Sequence, residues 1–176
     1  MEHKQLLTVF NSLPVGIGFF TADGTLVRCN ESFCRIFGAD SQTLLGNKLN
    51  INENSVVPDV VKEAVRRCVP VQMSFLYDFD KQRTDKRFFS TRTRTCYLKC
   101  NGNPLYDNDG KFVNYIFIFE DITETVKSEE VLRQSRRKTE LAMKAANIMF
   151  WEFDAVAKLF YSDNEPLNGY DQSKPV

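Results

Sequence analysis

Five cysteines at positions 29, 34, 68, 96 and 100, one histidine at position 3 and a basic run around Arg87 are the side chains of this 176-residue chain that could do chemistry. The cysteines are odd in number and none stands in a C-x-x-C pair, which fits neither a secreted disulfide framework nor a zinc site. They read as reduced thiols packing like small hydrophobes. A single histidine, His3 beside the terminus, weakens every Ser-His-Asp, Cys-His and histidine-ligated metal scheme together. The eight glycines never cluster into a phosphate-binding loop. No catalytic residue is therefore expected. Lys81, Arg83, Lys86, Arg87, Arg92 and Arg94 stand against Asp85 alone, with Phe88, Phe89 and Tyr97 close by. Such a surface suits RNA or another anion through phosphate contact and stacking, or is a solvated loop whose charges discourage edge pairing. The solvated loop is the expectation, with no nucleic-acid partner.

The chain as a whole offers no field to recruit a partner. Twenty-three Lys and Arg balance twenty-three Asp and Glu, and the composition is 43% hydrophobic and 26% charged, which is ordinary for a globular protein. Its apolar stretches, such as Tyr115 to Phe119, are far shorter than the roughly 20 residues a membrane-spanning helix needs. No basic region followed by an apolar run opens the chain. A cytoplasmic domain with no membrane insertion and no metal is the expectation.

The elements that must position these residues follow from periodicity. Leu6, Leu7 and Phe10 share a helical face over residues 1–12, and Pro14 ends it. Val15 to Phe20 and Thr25 to Cys29 read as two strands joined at Asp23-Gly24. Asn30 is placed to cap a short helix carrying Phe33, Ile36 and Phe37 and closed by Gly38; Ser41 is placed to cap the next. Pro58 to about Cys68 forms a longer helix with Val60, Val61, Ala64 and Val65 on one stripe. Period two then takes over. Val71, Met73, Phe75, Tyr77 and Phe79 alternate with polar residues, a second β-rich run passes through Thr91, Thr93, Thr95 and Tyr97, and Asp109-Gly110 turns into a last strand, Phe112 to Glu120. Helices segregated from hairpin strands predict an α+β domain, an antiparallel five-stranded sheet with short helices on one side.

Residues 123–147 are helical and densely charged, with Val126, Leu132, Leu141 and Ala145 as sparse apolar positions. That is a connector helix or a weak two-stranded coiled coil. Beyond it, Met149 to Asp154 and Lys158 to Ser162 repeat the opening hairpin, and Leu167 to Asp171 echoes Ile36 to Asp40. Residues 148–176 thus read as the truncated start of a second copy of the first domain, the alternative being a stray hairpin that packs on the first domain.

The stretch 13–122 resembles a PAS domain. The resemblance rests on Leu13-Pro14-x-Gly16-Ile17, Asp23-Gly24, Asn30-x-x-Phe33-x-x-x-Phe37-Gly38, Leu45-Gly46, Pro104-Leu105-Tyr106-Asp107-x-Asp109-Gly110 and Asp121-Ile122-Thr123, in that order. It implies the PAS fold and a place in a multi-PAS signalling protein, foremost a two-component sensor histidine kinase whose kinase core lies downstream. It implies a ligand pocket between sheet and helices, drawing on Phe19, Phe33, Phe37, Val61, Val65, Phe75, Tyr77, Tyr97, Phe117 and Phe119, or the same residues filling the core. No cofactor is expected, only an unidentified small-molecule ligand: residues 58–68 hold no haem histidine, and Cys34-Arg35 lacks the flavin-photoreceptor surroundings. Thr123 is itself placed to cap the connector helix; the resemblance makes Asp121, Ile122 and Thr123 the signal-transfer junction, with Asp121 anchoring it through a polar contact, the alternative being a plain helix cap without signalling content. A homodimer through the N-terminal and connector helices completes the expectation. The alternatives are a ligand-free interaction module and an anion- or RNA-binding domain.

Overall fold

Glycines that allow positive φ make the two expected hairpins: Gly24 has φ +86° and Gly110 φ +76°. In the computed structural model, which describes residues 2–83, 90–146, 151–154, 156, 159–162 and 165–166, both hairpins join one sheet. Its strands are β1 (Gly16–Phe20), β2 (Leu26–Cys29), β3 (Val71–Asp78), β4 (Thr95–Tyr106) and β5 (Phe112–Asp121), in the order β2-β1-β5-β4-β3. Every neighbouring pair is antiparallel. The helices are α1 (Glu2–Ser12), α2 (Glu31–Phe37), α3 (Ser41–Gly46), α4 (Asp59–Arg67), α5 (Phe79–Arg83) and α6 (Thr123–Ala145).

Helix α2 packs on the inward face of β1 because that face is bare at Gly16 and Gly18. A Cβ added at Gly16 would lie 2.9 Å from Ile36 Cδ1 and 3.0 Å from Phe33 Cα. Asn30 fixes the approach: its Oδ1 accepts the N–H groups of Ile17 (2.8 Å) and Phe33 (2.9 Å), and its Nδ2 donates to the carbonyls of Phe10 (3.0 Å) and Val15 (2.9 Å). One buried side chain thus joins the end of α1, strand β1 and the start of α2, with its amide fully used. The core between sheet and helices is aromatic, with Tyr115, Phe117 and Phe119 alternating inward along β5 against Phe20, Phe33 and Phe37.

Four local expectations are corrected. Phe79 leaves the strand and opens α5, because Asp78 Oδ1 takes the N–H of Lys81 (3.0 Å) and starts a helical turn; Phe79 is buried all the same. Thr91 and Thr93 precede β4 rather than lying in it, Thr91 giving both its N–H (2.7 Å) and its hydroxyl (2.9 Å) to the carbonyl of Gly38. Instead β4 continues through Pro104 to Tyr106. Strand β3 pairs only as far as Gly102, so Pro104 lies where β4 borders β5 alone. Asp40, not Ser41, caps α3, accepting the Thr43 N–H at 2.7 Å.

The chain divides into two units, residues 1–126 and 127–176. In the second, β6 (Trp151–Asp154), β7 (Leu159–Ser162) and β8 (Glu165–Pro166) form a three-stranded sheet in that order. The first two are the expected hairpin. The echo at Leu167 to Asp171 lies outside the described residues, as do Lys86, Arg87, Phe88 and Phe89.

Candidate functional site: an interior cavity and a strand-to-helix junction

Between the sheet and helices α2 and α4 lies a cavity of about 20 Å³, room for about one water-sized group. Phe33, Phe37, Val61, Phe75, Tyr77 and Phe119, all singled out in the sequence, line it. Val65 and Phe117 are fully buried in the core but do not line it. Phe19 and Tyr97 are corrected: both point from the opposite face of the sheet. Phe19 is half-buried under Phe10 of α1, with ring centroids 6.0 Å apart, and Tyr97 is 39% exposed. Their strands carry apolar residues at consecutive positions, Phe19-Phe20 and Cys96-Tyr97-Leu98, so period two does not show which of each faces in. The wall also contains Phe20 and Leu49, Asn50, Ile51, Asn54 and Val57. The last five come from an irregular connection whose sequence has no periodicity to expose them.

The cavity is small because rings interlock across it. Phe37 meets Phe33 at 4.5 Å, Phe119 at 5.3 Å and Tyr77 at 5.5 Å. Its polar edge is satisfied. Asn54 Nδ2 donates to the Tyr77 hydroxyl at 3.2 Å, that hydroxyl donates to buried Gln82 Oε1, and Asn54 Oδ1 accepts the Val56 N–H. Burial pushes the Tyr77 phenol well above its ordinary value, so it stays a donor.

A second constellation sits where β5 hands over to α6. Arg92 places Nη1 and Nη2 each 3.0 Å from Asp121 Oδ2, while Nη1 also donates to the carbonyl of Ile36 at 2.9 Å. Its guanidinium lies 5.3 Å from the centre of the Phe79 ring. Ser90, whose hydroxyl donates to the Phe37 carbonyl (2.7 Å), takes the Arg92 N–H (3.0 Å) and fixes the approach. A Cβ at Gly38, where φ is +64°, would lie 2.8 Å from the Arg92 side chain. Asp121 Oδ1 meanwhile accepts the N–H (3.1 Å) and the hydroxyl (2.5 Å) of Thr123. Thr123 Oγ1 accepts the Tyr97 N–H at 2.9 Å. The capping role expected of Thr123 therefore falls to Asp121; α6 begins at Thr123, and the Ile122 carbonyl takes the first helical hydrogen bond, from Val126. Burial draws the Asp121 carboxyl upward, but the bonds from Thr123 and the Arg92 charge outweigh it and hold it below its ordinary value. The sequence marked Asp121, Ile122 and Thr123; it did not pair Arg92 with them, because 29 positions separate the partners.

Of the basic segment, Arg92 is thus committed to an internal ion pair, and the Arg94 N–H goes to Asp80. Among the described residues no three His, Cys, Asp or Glu side chains group as metal ligands, and no helix is long and apolar enough to cross a membrane.

A five-stranded antiparallel sheet in the order 2-1-5-4-3, helices α2 and α4 over one face and a helix leaving the central strand β5 define a PAS-type domain. The family model described as PAS fold matches residues 10–127, and the chain belongs to that family. Its curated relatives include the probable diguanylate cyclase DgcE of Escherichia coli (strain K12), 20% identical over 157 residues; the match takes in 89% of this chain, which spans only 14% of that relative's length. Similar solved structures include an RNA-binding light-oxygen-voltage receptor, with TM-score 0.58 at 18% identity over 77% of this chain and 37% of the other. The PAS domain of a two-component sensor histidine kinase has TM-score 0.51 at 14% identity, covering 68% of this chain and 96% of that one.

Proposed function

We propose that the chain is an intracellular signal-transmission module of a larger signalling protein, passing a change in how α2 packs on the sheet to the helix that leaves β5. The observation that carries this reading is Arg92, whose single guanidinium holds both the Ile36 carbonyl in the last turn of α2 and Asp121, two residues before α6. A displacement of α2 therefore loads the ion pair that positions the start of α6. With room for only about one water, the interior favours an input that arrives as a partner contact or repacking, a ligand-free interaction module rather than a receptor with a large preformed pocket. A small molecule would enter by displacing core rings. The chain itself catalyses nothing in this reading, needs no cofactor and binds no nucleic acid.

The partner is a second copy, engaged through α1 and α6. Leu6 and Val9 are exposed one turn apart on α1, and Val131, Leu132 and Leu141 on α6 are exposed in a helix that buries no residue. The output domain is a histidine kinase core by the resemblance of the motifs. The match to DgcE favours a second reading, a diguanylate cyclase, because its 157 residues extend past the PAS unit.

The test is Arg92→Ala in the whole chain. Unfolding should stay cooperative while amide exchange at residues 123–126 accelerates about tenfold, the effect of losing roughly 1.4 kcal/mol. Unchanged exchange there would remove the coupling on which the reading stands.

A further inference from the structure

Cys29 closes β2 and Cys34 lies on α2, and their sulfur atoms are 3.8 Å apart, both thiols half-buried. We propose that this pair is a reversible dithiol–disulfide site, oxidised by a small-molecule disulfide of the glutathione type, which tightens the Asn30 junction when it closes. A disulfide brings two sulfurs to about 2 Å. The remaining gap is within the reach of χ1 rotation at two side chains on neighbouring elements.

The other cysteines do not compete. Cys96 and Cys100 both face inward on β4, four residues and so about 13 Å apart along the strand, and Cys68 follows α4. The step balances without further reagents. A thiolate of the pair attacks the small disulfide and releases one small thiol. The second thiolate attacks the mixed disulfide and releases another. The two protein thiols are oxidised, the small disulfide is reduced, and the two protons end on the released thiols.

The consequence lies in what the bond would enclose. The loop from Cys29 to Cys34 contains Asn30, whose amide holds the end of α1 through the Phe10 carbonyl and takes the N–H groups of Ile17 and Phe33. Closing the loop restricts that hub and, with it, the attachment of α1. Burial pushes Cys29 up to about 12 and Cys34 upward as well, the Asp40 and Glu31 carboxylates adding to the rise at Cys34. Exchange is therefore slow at neutral pH and quickens with rising pH.

The test equilibrates the whole chain with graded ratios of oxidised to reduced glutathione at mildly alkaline pH, followed by alkylation and peptide mass analysis. A Cys29–Cys34 link should titrate in with the ratio, reverse on reduction, vanish in Cys29→Ser and Cys34→Ser, and persist in Cys68→Ser. Amide exchange at Ile17 and Phe33 should slow several-fold in the oxidised protein. Full alkylation of both thiols at the most oxidising ratio, or links only through Cys68 or between chains, would overturn the site. A link that leaves exchange at Ile17 and Phe33 unchanged would overturn its effect on the junction.

Discussion

The Tyr97 backbone N–H donates to the Thr123 hydroxyl at 2.9 Å across 26 positions, and the Ile122 N–H returns a bond to the Tyr97 carbonyl at the same distance. The first turn of α6 is thereby tied to β4 as well as to β5. Thr123→Val keeps the shape and removes the hydroxyl, leaving the Tyr97 N–H without its acceptor and Asp121 Oδ1 with the backbone N–H of residue 123 alone. It should cost about 1 kcal/mol in urea unfolding, and Thr123→Ser should restore most of it. Valine equal to wild type would mean that water replaces the hydroxyl at no cost.

The Asp121 carboxyl gives the junction a pH dependence of definite sign. Its folded value lies below the ordinary 3.8, so its contribution is fully present above that value and is lost as pH falls through the folded one. The melting-temperature difference between wild type and Asp121→Asn should be steady near neutrality and shrink on acidification below about pH 4. A difference that grows on acidification would reverse the assignment.

Much of this arrangement was legible in the sequence because local chemistry dictated it. Asp23-Gly24, Asp109-Gly110, Gly38 and the capping bond from Asn30 to Phe33 each act over a few residues, and the structure places each where composition and spacing did; the reach of Asn30 back to Phe10, Val15 and Ile17 is not local and was not legible. What was hidden is non-local. Arg92 read as one charge in a basic run, since nothing in its neighbours announces Asp121 or the Ile36 carbonyl. Period two does not place Phe19 and Tyr97, because in each strand an apolar neighbour makes the phase ambiguous, and both lie on the face away from the cavity. Phe79 continued the period of β3 and was buried as expected, yet Asp78 turned the chain one residue earlier.

Cys68 ends α4 with φ +51°, a left-handed conformation that costs a side chain about 1 kcal/mol and glycine almost nothing. Its N–H closes the helix on the Val65 carbonyl, and the following residue returns to that of Ala64. Cys68→Gly should therefore raise stability by about 0.5–1 kcal/mol despite the looser unfolded chain. Chemical unfolding measures it; a loss would show that packing of the half-buried thiol outweighs the backbone.

Phe117 is fully buried on β5, stacked on Tyr115 at 4.8 Å and on Phe119 at 5.6 Å. Its ring covers Gly102 of β4, where a Cβ would also lie 2.7 Å from Tyr115. Phe117→Ala should cost about 3–5 kcal/mol, and Gly102→Ala should also destabilise, by forcing both rings aside. Lys127→Ala, on a helix that buries nothing, should move stability by less than about 0.5 kcal/mol. Equal effects at Phe117 and Lys127 would contradict the inward facing of the strand.

The nearly full interior makes a prediction that separates a packed core from a receptor. Phe37 lines the cavity and meets Phe33, Tyr77 and Phe119, so Phe37→Ala would merge the volume of a ring with the 20 Å³ already present. The enlarged space would be walled mostly by apolar groups and stay dry, the condition under which engineered cavities accept benzene. Benzene should raise the melting temperature of Phe37→Ala and leave wild type unmoved. Because that variant loses about 3–5 kcal/mol, Phe119→Leu is the milder companion and should show a smaller shift of the same sign. An equal shift in wild type would mean that the rings part readily without mutation and that ligand entry, rather than repacking, drives the module.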